Sequence, residues 1–255
     1  MNIHTIILAG GKGTRMLSQK AKVLQALGGR TMLNHVMTAA NKISNKISVV
    51  VGFDKEGVEE EIKKIGINAD TFLQKEQIGT ADAVKTTLKD IDKNEKILIL
   101  YGDVPLIKEE TLKKLCNQES DLSILTTNLE NPTGYGRTLK DKENNVLGIV
   151  EEKDADLEQK KIKEIFTGIL VSRGDVLMEY IPEINNNNSA KEFYLTDLIG
   201  IAHKNGFKIN TLSSSNEETA GANNRSEQEE LEKTLRKMKS EDLLRNGATL
   251  LDKSR

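Results

Sequence analysis

Ile3-His4-Thr5-Ile6-Ile7-Leu8-Ala9-Gly10-Gly11-Lys12-Gly13-Thr14-Arg15 is the stretch on which the reading of this chain turns. Ile3–Ala9 is β-branched and apolar with little alternation, the pattern of a strand buried on both faces of a parallel sheet. The run breaks into three glycines within four positions, with Lys12 among them and Arg15 just beyond. Glycine lets the backbone turn sharply and present N–H groups without a Cβ in the way, and the two cations add positive charge. At the carboxyl end of a first strand, such a loop suits a di- or triphosphate, because open α/β sheets bind ligands at that edge. Neither standard phosphate motif is matched. Gly13 follows Lys12 where a Walker loop has Ser or Thr, and Met16 stands where the dinucleotide fingerprint has its last small residue. On this segment alone, a flexible loop with two solvated cations remains the alternative.

Working outward, Met32–Ile43, Glu56–Ile65 and Thr80–Leu88 have helical character, while Ile47–Val51, Phe72–Leu73 and Ile97–Tyr101 read as strands. Continuous apolar strands separated by helices predict a doubly wound, Rossmann-like α/β fold with a mainly parallel sheet. Beyond about residue 120 the pattern is more mixed. Strands are expected at Leu122–Thr126, Val146–Val150 and Ile165–Val171, with a polar turn at Asp141–Asn145. A helix is expected near Thr196–His203, with Thr196 or Asp197 available to cap it. The asparagine run 185–188 reads as an exposed loop, and Ser226–Leu244 as a long, charged surface helix. The expected organisation is one domain over residues 1–225, with a nucleotide-binding half to about residue 120 and a substrate-binding half over 121–225. Residues 226–255 would form a C-terminal helix and tail.

Lys plus Arg number 37 against 39 for Asp plus Glu, a net charge of −2. That balance argues against gripping a nucleic-acid polymer or an anionic membrane through bulk charge, while a local phosphate pocket is allowed. Cys116 is the single cysteine, so no intrachain disulfide and no Cys-based zinc cage can form. His4, His35 and His203 lie far apart in sequence, and none opens an H-E-x-x-H spacing. The apolar runs are too short to cross a bilayer and the N-terminus has no secretory pattern, so a cytoplasmic location is expected. Tyr101-Gly102-Asp103-Val104-Pro105 sets a carboxylate just past a buried strand, on the same sheet edge as the glycine loop if the strands are parallel. A hard oxygen ligand beside a polyphosphate suits Mg²⁺, which takes few protein ligands. A turn aspartate bonding its own backbone is the other reading.

In order along the chain, Leu8–Met16, Lys22-Val23-Leu24, Gln74–Ala81 and Tyr101–Leu106 resemble the sugar-1-phosphate nucleotidyltransferases, most closely the uridylyltransferase half of the bifunctional GlmU enzymes. Pro132–Arg137, Gly148–Glu151, Glu192–Asp197 and Asn223–Arg225 extend the resemblance over nearly the whole chain. It implies a GT-A-like nucleotidyltransferase fold and the reaction of UTP with N-acetylglucosamine-1-phosphate to give UDP-N-acetylglucosamine and pyrophosphate. Carried over by position, Leu8, Ala9, Gly10, Gly11, Gly13, Thr14 and Arg15 would bind the nucleotide, with Lys22 neutralising phosphate charge. Gln74, Gly79 and Thr80 would read the uracil. Asp103 and Asn223 would coordinate Mg²⁺, and Tyr101, Gly136, Glu151, Tyr194 and Thr196 would contact the sugar phosphate. Arg15 and Lys22 would be the catalytic residues, Arg15 steadying the departing pyrophosphate. The nucleophile in such a reaction is already an anionic oxygen, so catalysis rests on positioning and charge neutralisation rather than on a strong base. A chain poor in His and Cys can do that.

Three departures from the family bear on this reading. Phe166 stands where the family has an asparagine before Thr-Gly, which puts polar recognition of the acetamido sugar in doubt. Ala21 replaces the usual proline before Lys22 and is expected to loosen the backbone there. Asp82 stands where a histidine is common. The hexapeptide β-helix of GlmU has no counterpart in these residues, so no acetyl-CoA chemistry and no trimer built through that helix are expected. Two alternatives stay open: the same reaction on another sugar-1-phosphate such as glucose-1-phosphate, and a catalytically silent nucleotide-sugar sensor.

Overall fold

The computed structural model describes residues 2–252 and is built around a nine-stranded mixed sheet. β1 (Ile3–Leu8) lies in its middle with every residue buried. After the glycine loop, a small hairpin of β2 (Ala26–Leu27) and β3 (Arg30–Thr31) leads into α1 (Met32–Asn41). The Thr31 hydroxyl starts that helix by accepting from the Asn34 N–H at 3.1 Å. β4 (Lys46–Val51), α2 (Lys55–Ile65), β5 (Asp70–Leu73), α3 (Thr80–Lys85) and β6 (Lys96–Tyr101) complete the first half. α4 (Glu109–Cys116), β7 (Leu122–Asn128), β8 (Arg137–Lys140), β9 (Val146–Val150), β10 (Glu164–Arg173) and α5 (Gly174–Tyr180) follow. The chain ends with α6 (Asp197–Lys204), β11 (Ile209–Ser213), the single turn α7 (Asn216–Thr219) and the long α8 (Arg225–Arg245).

Across the sheet the order is β11-β7-β10-β6-β1-β4-β5, with β8 paired to β10 and β9 to β8. β1 runs parallel to both β4 and β6, β4 to β5, and β11 to β7. On this path only β10 is antiparallel to its neighbours. Leu8 sits opposite Val50 on one side and Tyr101 on the other, so three carboxyl ends share one edge. The chain leaves β1 toward β4 and later returns to β6 on the opposite side. The loops after β1 and β6 therefore part, and the crevice between them is the switch point at which open α/β sheets bind ligands.

Both faces of the sheet are covered. Ile7, Val49, Val51, Leu98 and Leu100 face a layer made by α1, α2 and α4. Ile6, Leu8, Val50, Ile97 and Ile99 face α3, α5 and α6. Burial on both sides is why these strands read as unbroken apolar runs. A third cluster joins Leu231 and Leu235 of α8 to Leu27, Met32, Leu106 and Ala222. The helix expected to lie on the surface therefore buries a stripe.

Several expectations need adjusting. The helix expected over Thr80–Leu88 ends at Lys85 and is followed by a separate 3-10 turn at Leu88–Asp90. β8, β11, α4 and α5 were not foreseen. Cys116 is fully buried, and burial pushes its thiol up to about 11, so it behaves as a small apolar side chain. Among the described residues no helix is long and apolar enough to cross a membrane. Residues 253–255 of the expected tail lie outside the described residues.

Candidate active site

The ends of β1 and β6, with the segment after β5, wall a cleft of about 260 Å³. It brings together Leu8, Ala9, Gly10 and Gly11 from the glycine loop, then Lys22, then Gln74, Gly79 and Thr80, and finally Tyr101 and Asp103. Val23, Gln77, Ala83 and Glu192 complete the lining and were not foreseen. A larger hollow of about 670 Å³ between α8 and the α1–α4 side holds none of the expected site residues.

Backbone geometry explains the glycine loop. Gly13 has φ 58°, and a Cβ there would stand 2.7 Å from the Lys22 Cβ, so a side chain at 13 would push Lys22 out of place. Lys12 rests its ammonium over the Phe53 ring at 5.7 Å. Arg15 is exposed in the turn Thr14–Met16 and makes no ion pair among the described residues. The side chain of Thr14 lies outside what is described.

The segment leading to Lys22 is not loose. Ala21 is fully buried at φ −52°, ψ 145°, a conformation proline favours, and its N–H donates to Asp54 Oδ2 at 2.9 Å. A proline could not make that bond. The hydrogen bond holds the backbone that the missing ring was expected to release. Lys22 then pairs with the Asp103 carboxylate and donates to Asn223 Oδ1 at 3.1 Å. Asn223 is held from behind: Glu227 Oε2 accepts from its N–H at 2.7 Å and its Nδ2 at 3.0 Å. Asn224 caps α8: its Oδ1 accepts from the Glu227 N–H at 2.9 Å, and its Nδ2 donates to Glu227 Oε1 at 2.6 Å. Two oxygens from opposite parts of the sequence thus meet on one cation.

At the Gln74 end of the cleft, Gly79 has φ 142° and sits where any Cβ would strike the backbone of Phe193. The segment around Phe193 clamps this corner. Phe193 N–H donates to Ile78 O at 2.8 Å, Ala81 N–H to Phe193 O at 2.9 Å, and Leu195 N–H to Thr80 Oγ1 at 3.0 Å. Gln74, only 5% exposed, donates through Nε2 to Gly79 O at 2.9 Å and to Asp82 Oδ2 at 3.0 Å.

The expected sugar-phosphate residues gather beside the same cleft. The Thr196 hydroxyl donates to Glu151 Oε1 at 2.9 Å. Thr196 occupies the N-cap position of α6 without capping it, its hydroxyl being turned to Glu151 rather than to the helix end. A Cβ on Gly136 would lie 2.8 Å from Ile149 Cγ2 and 3.5 Å from Glu151 Oε1, which places that backbone against the carboxylate. Burial raises the pKa of Tyr101, with Thr80 opposing the shift and Glu151 and Asp103 adding to it. Burial, and then Asp154 and Glu151, push the Tyr194 hydroxyl up to about 12. Arg137, almost fully buried, donates to Glu152 Oε2 at 2.6 Å and to Tyr135 O, and Gly134 N–H donates to the same Glu152 oxygen at 3.2 Å. That clamp fixes the loop carrying Gly136. Phe166 is 5% exposed in the apolar layer with Leu170, Leu195 and Leu198, with Tyr101 and Ile149 packed against it. It contributes packing where the family's asparagine would contribute an amide.

Glu151 has its pKa raised by burial first, with Thr196 opposing the shift and Asp197, Asp154 and Glu192 adding to it. A carboxyl whose pKa is higher folded than unfolded costs stability once pH rises above its unfolded value, and the full cost is present above its folded value. Glu151→Gln will therefore raise the melting temperature at pH 8 more than at pH 4, while lowering turnover by roughly 10–100-fold through loss of a charged acceptor. Thermal melts at the two pH values and initial rates check this. A destabilised variant at pH 8 would contradict it.

A family model described as a MobA-like NTP transferase domain matches residues 5–155. A bifunctional protein GlmU of Idiomarina loihiensis is 38% identical over all of this chain and 56% of its own length. Counterparts from Buchnera aphidicola and Ruthia magnifica are 43% and 41% identical over 98% and 100% of this chain. The chain spans about 54–57% of the length of these relatives. A Bacillus anthracis structure named as a glucose-1-phosphate thymidylyltransferase in complex with sucrose superposes with a TM-score of 0.73 over 98% of both chains. At 18% identity it shows a shared fold.

Proposed function

From a chain that belongs to the MobA-like NTP transferase family, we propose a uridylyltransferase that joins UTP to N-acetylglucosamine-1-phosphate, releasing pyrophosphate and forming UDP-N-acetylglucosamine. The observation that carries this is the meeting of Asp103 and Asn223 on Lys22 in the glycine-loop cleft, whose Tyr101 is within electrostatic reach of both Asp103 and Glu151, the partner of Thr196. A nucleotide triphosphate and a sugar phosphate placed in the two halves would bring their phosphates together there.

The glycine loop offers N–H groups and the Lys12 and Arg15 charges to a triphosphate, while Gln74, Gly79 and Thr80 face its base. Glu151, Thr196, Tyr101 and Tyr194 line the sugar half. Burial raises the pKa values of both tyrosines, which keeps them neutral hydrogen-bond donors at neutral pH. The sugar phosphate oxygen attacks the α-phosphorus in line, its bond forming as the bond to pyrophosphate breaks. Lys22 offsets repulsion between the two polyanions and Arg15 steadies the leaving group. Asp103 and Asn223 are the residues that would hold Mg²⁺. Their oxygens already converge on an ammonium and are of the hard type that ion takes, usually with few protein ligands. When bound, the ion supplies further neutralisation of phosphate charge.

A second reading keeps the reaction and changes the sugar, because Phe166 offers no amide to an acetamido group. Initial rates of pyrophosphate release from UTP with a panel of sugar-1-phosphates decide between them. The proposal expects N-acetylglucosamine-1-phosphate to exceed glucose-1-phosphate by roughly 10-fold or more in kcat/KM. Turnover of glucose-1-phosphate with failure on every N-acetylhexosamine phosphate would establish the second reading. UTP binding with no pyrophosphate from any sugar would leave a sensor.

A further inference from the structure

Gln74 is oriented by two partners that can only accept. Its Nε2 donates at 2.9 Å to the carbonyl of Gly79 and at 3.0 Å to a carboxylate oxygen of Asp82. A carbonyl and a carboxylate supply no proton, so the chemistry of the partners fixes which end of the amide faces them. Both Nε2 hydrogens are committed. The other end, Oε1, lies against bare Gly10, where a Cβ would stand 3.1 Å from it, and no donor among the described residues meets it. Gln74 lines the cleft, so what it presents to a ligand is an acceptor alone.

We propose that Asp82 is a specificity-positioning residue. By holding the Gln74 amide with its donor end turned away, it makes the cleft select a pyrimidine base that offers an N–H at its N3. Uracil and thymine carry that N–H. Cytosine has a bare acceptor at the same position and would face Gln74 Oε1 acceptor to acceptor, a buried mismatch that binding sites reject strongly. Gly79 and Asp82 act together, but only Asp82 is a side chain that can be changed without touching the backbone clamp. Its place in the first turn of α3 also suits the helix dipole, a separate and structural role. This inference rests on the reading of the cleft as a nucleotide site.

The test is direct binding of UTP and CTP to the full chain by titration calorimetry, compared with Asp82→Asn. An asparagine can donate or accept, so one of the two acceptors that hold the Gln74 amide no longer opposes its turning over, and only the Gly79 carbonyl still does. The wild type should hold UTP roughly 100-fold more tightly than CTP, and Asp82→Asn should shrink that ratio by about 10-fold, mainly by strengthening CTP. A merely structural role would weaken both nucleotides together and leave the ratio alone. Asp82→Ala serves as the second variant, since it removes the acceptor without offering a new donor, and it too should narrow the ratio. An unchanged ratio in a folded variant overturns the inference while UTP binding by the wild type keeps the nucleotide reading. Absence of binding of either nucleotide to the wild type overturns both.

Discussion

Replacing Asp103 with alanine is expected to lower turnover by ~10²–10⁴-fold, equivalent to roughly 3–5 kcal/mol of transition-state stabilisation. The effect should be this large because Asp103 serves two ends at once. Its backbone follows directly on β6, where the Gly102 N–H donates to Leu8 O at 3.0 Å and ties the β6 end to the end of β1. Its carboxylate pairs with Lys22, and both side chains are only about one-sixth exposed, at 15% and 16%. Without it, Lys22 keeps Asn223 as its one side-chain partner among the described residues, and the oxygen pair suited to a hard cation is halved. Asp103→Asn should lie between wild type and alanine, since it keeps the volume and loses the charge. Rates measured on folded variants with UTP and the sugar phosphate check this. Near-normal turnover of Asp103→Ala would remove the residue from the reaction.

The second large effect is expected at Gly79. At φ 142° an L side chain is strained, and its Cβ would run into the Phe193 backbone, which cannot yield as the end of a flexible side chain could. Gly79→Ala should cost about 2–4 kcal/mol of stability, the range of strained backbone and overpacking combined. It should also weaken UTP binding by ~100-fold or more, because Gly79 O is one of the two acceptors orienting Gln74. Gly11→Ala is the control for stability: a Cβ at Gly11 meets nothing within 4 Å. Its melting temperature should stay near that of the wild type. If both glycine variants melted alike, the close approach to Phe193 would carry no weight.

Both glycine sites show how far sequence alone can reach. The first strand, the glycine loop and Asp103 were legible because burial on both faces leaves continuous apolar runs, and because ligand loops must follow such strands in a parallel sheet. The missed elements share a different character. β11 is a half-buried edge strand containing Asn210 and Thr211, and α4 is a short helix of eight residues dense in Glu and Lys. Neither has a long apolar period to announce it. α8 was foreseen as a helix, but its dense charge hid the stripe formed by Leu231 and Leu235.

At the site, side-chain identities were readable and their long-range partners were not. Nothing in the local sequence joins Ala21 to Asp54, Thr196 to Glu151, or Lys22 to Asn223, because each bond spans distant parts of the fold. Ala21 is the instructive case. Local reasoning registers the missing proline ring, and only the tertiary structure supplies the carboxylate that holds its N–H. Gln77 and Glu192 line the cleft as well, and both lie in sequence blocks already singled out, so position within those blocks was the available signal.

The most direct measurement is phosphorus NMR of the protein incubated with UTP, N-acetylglucosamine-1-phosphate and Mg²⁺, repeated with a chelator in place of the metal. The account predicts that the diphosphate resonances of UDP-N-acetylglucosamine and the signal of pyrophosphate rise together in equal amounts, and only with the metal. An unchanged spectrum with the metal present, or release of inorganic phosphate without a sugar nucleotide, would contradict uridylyl transfer to this sugar phosphate as the activity of this chain.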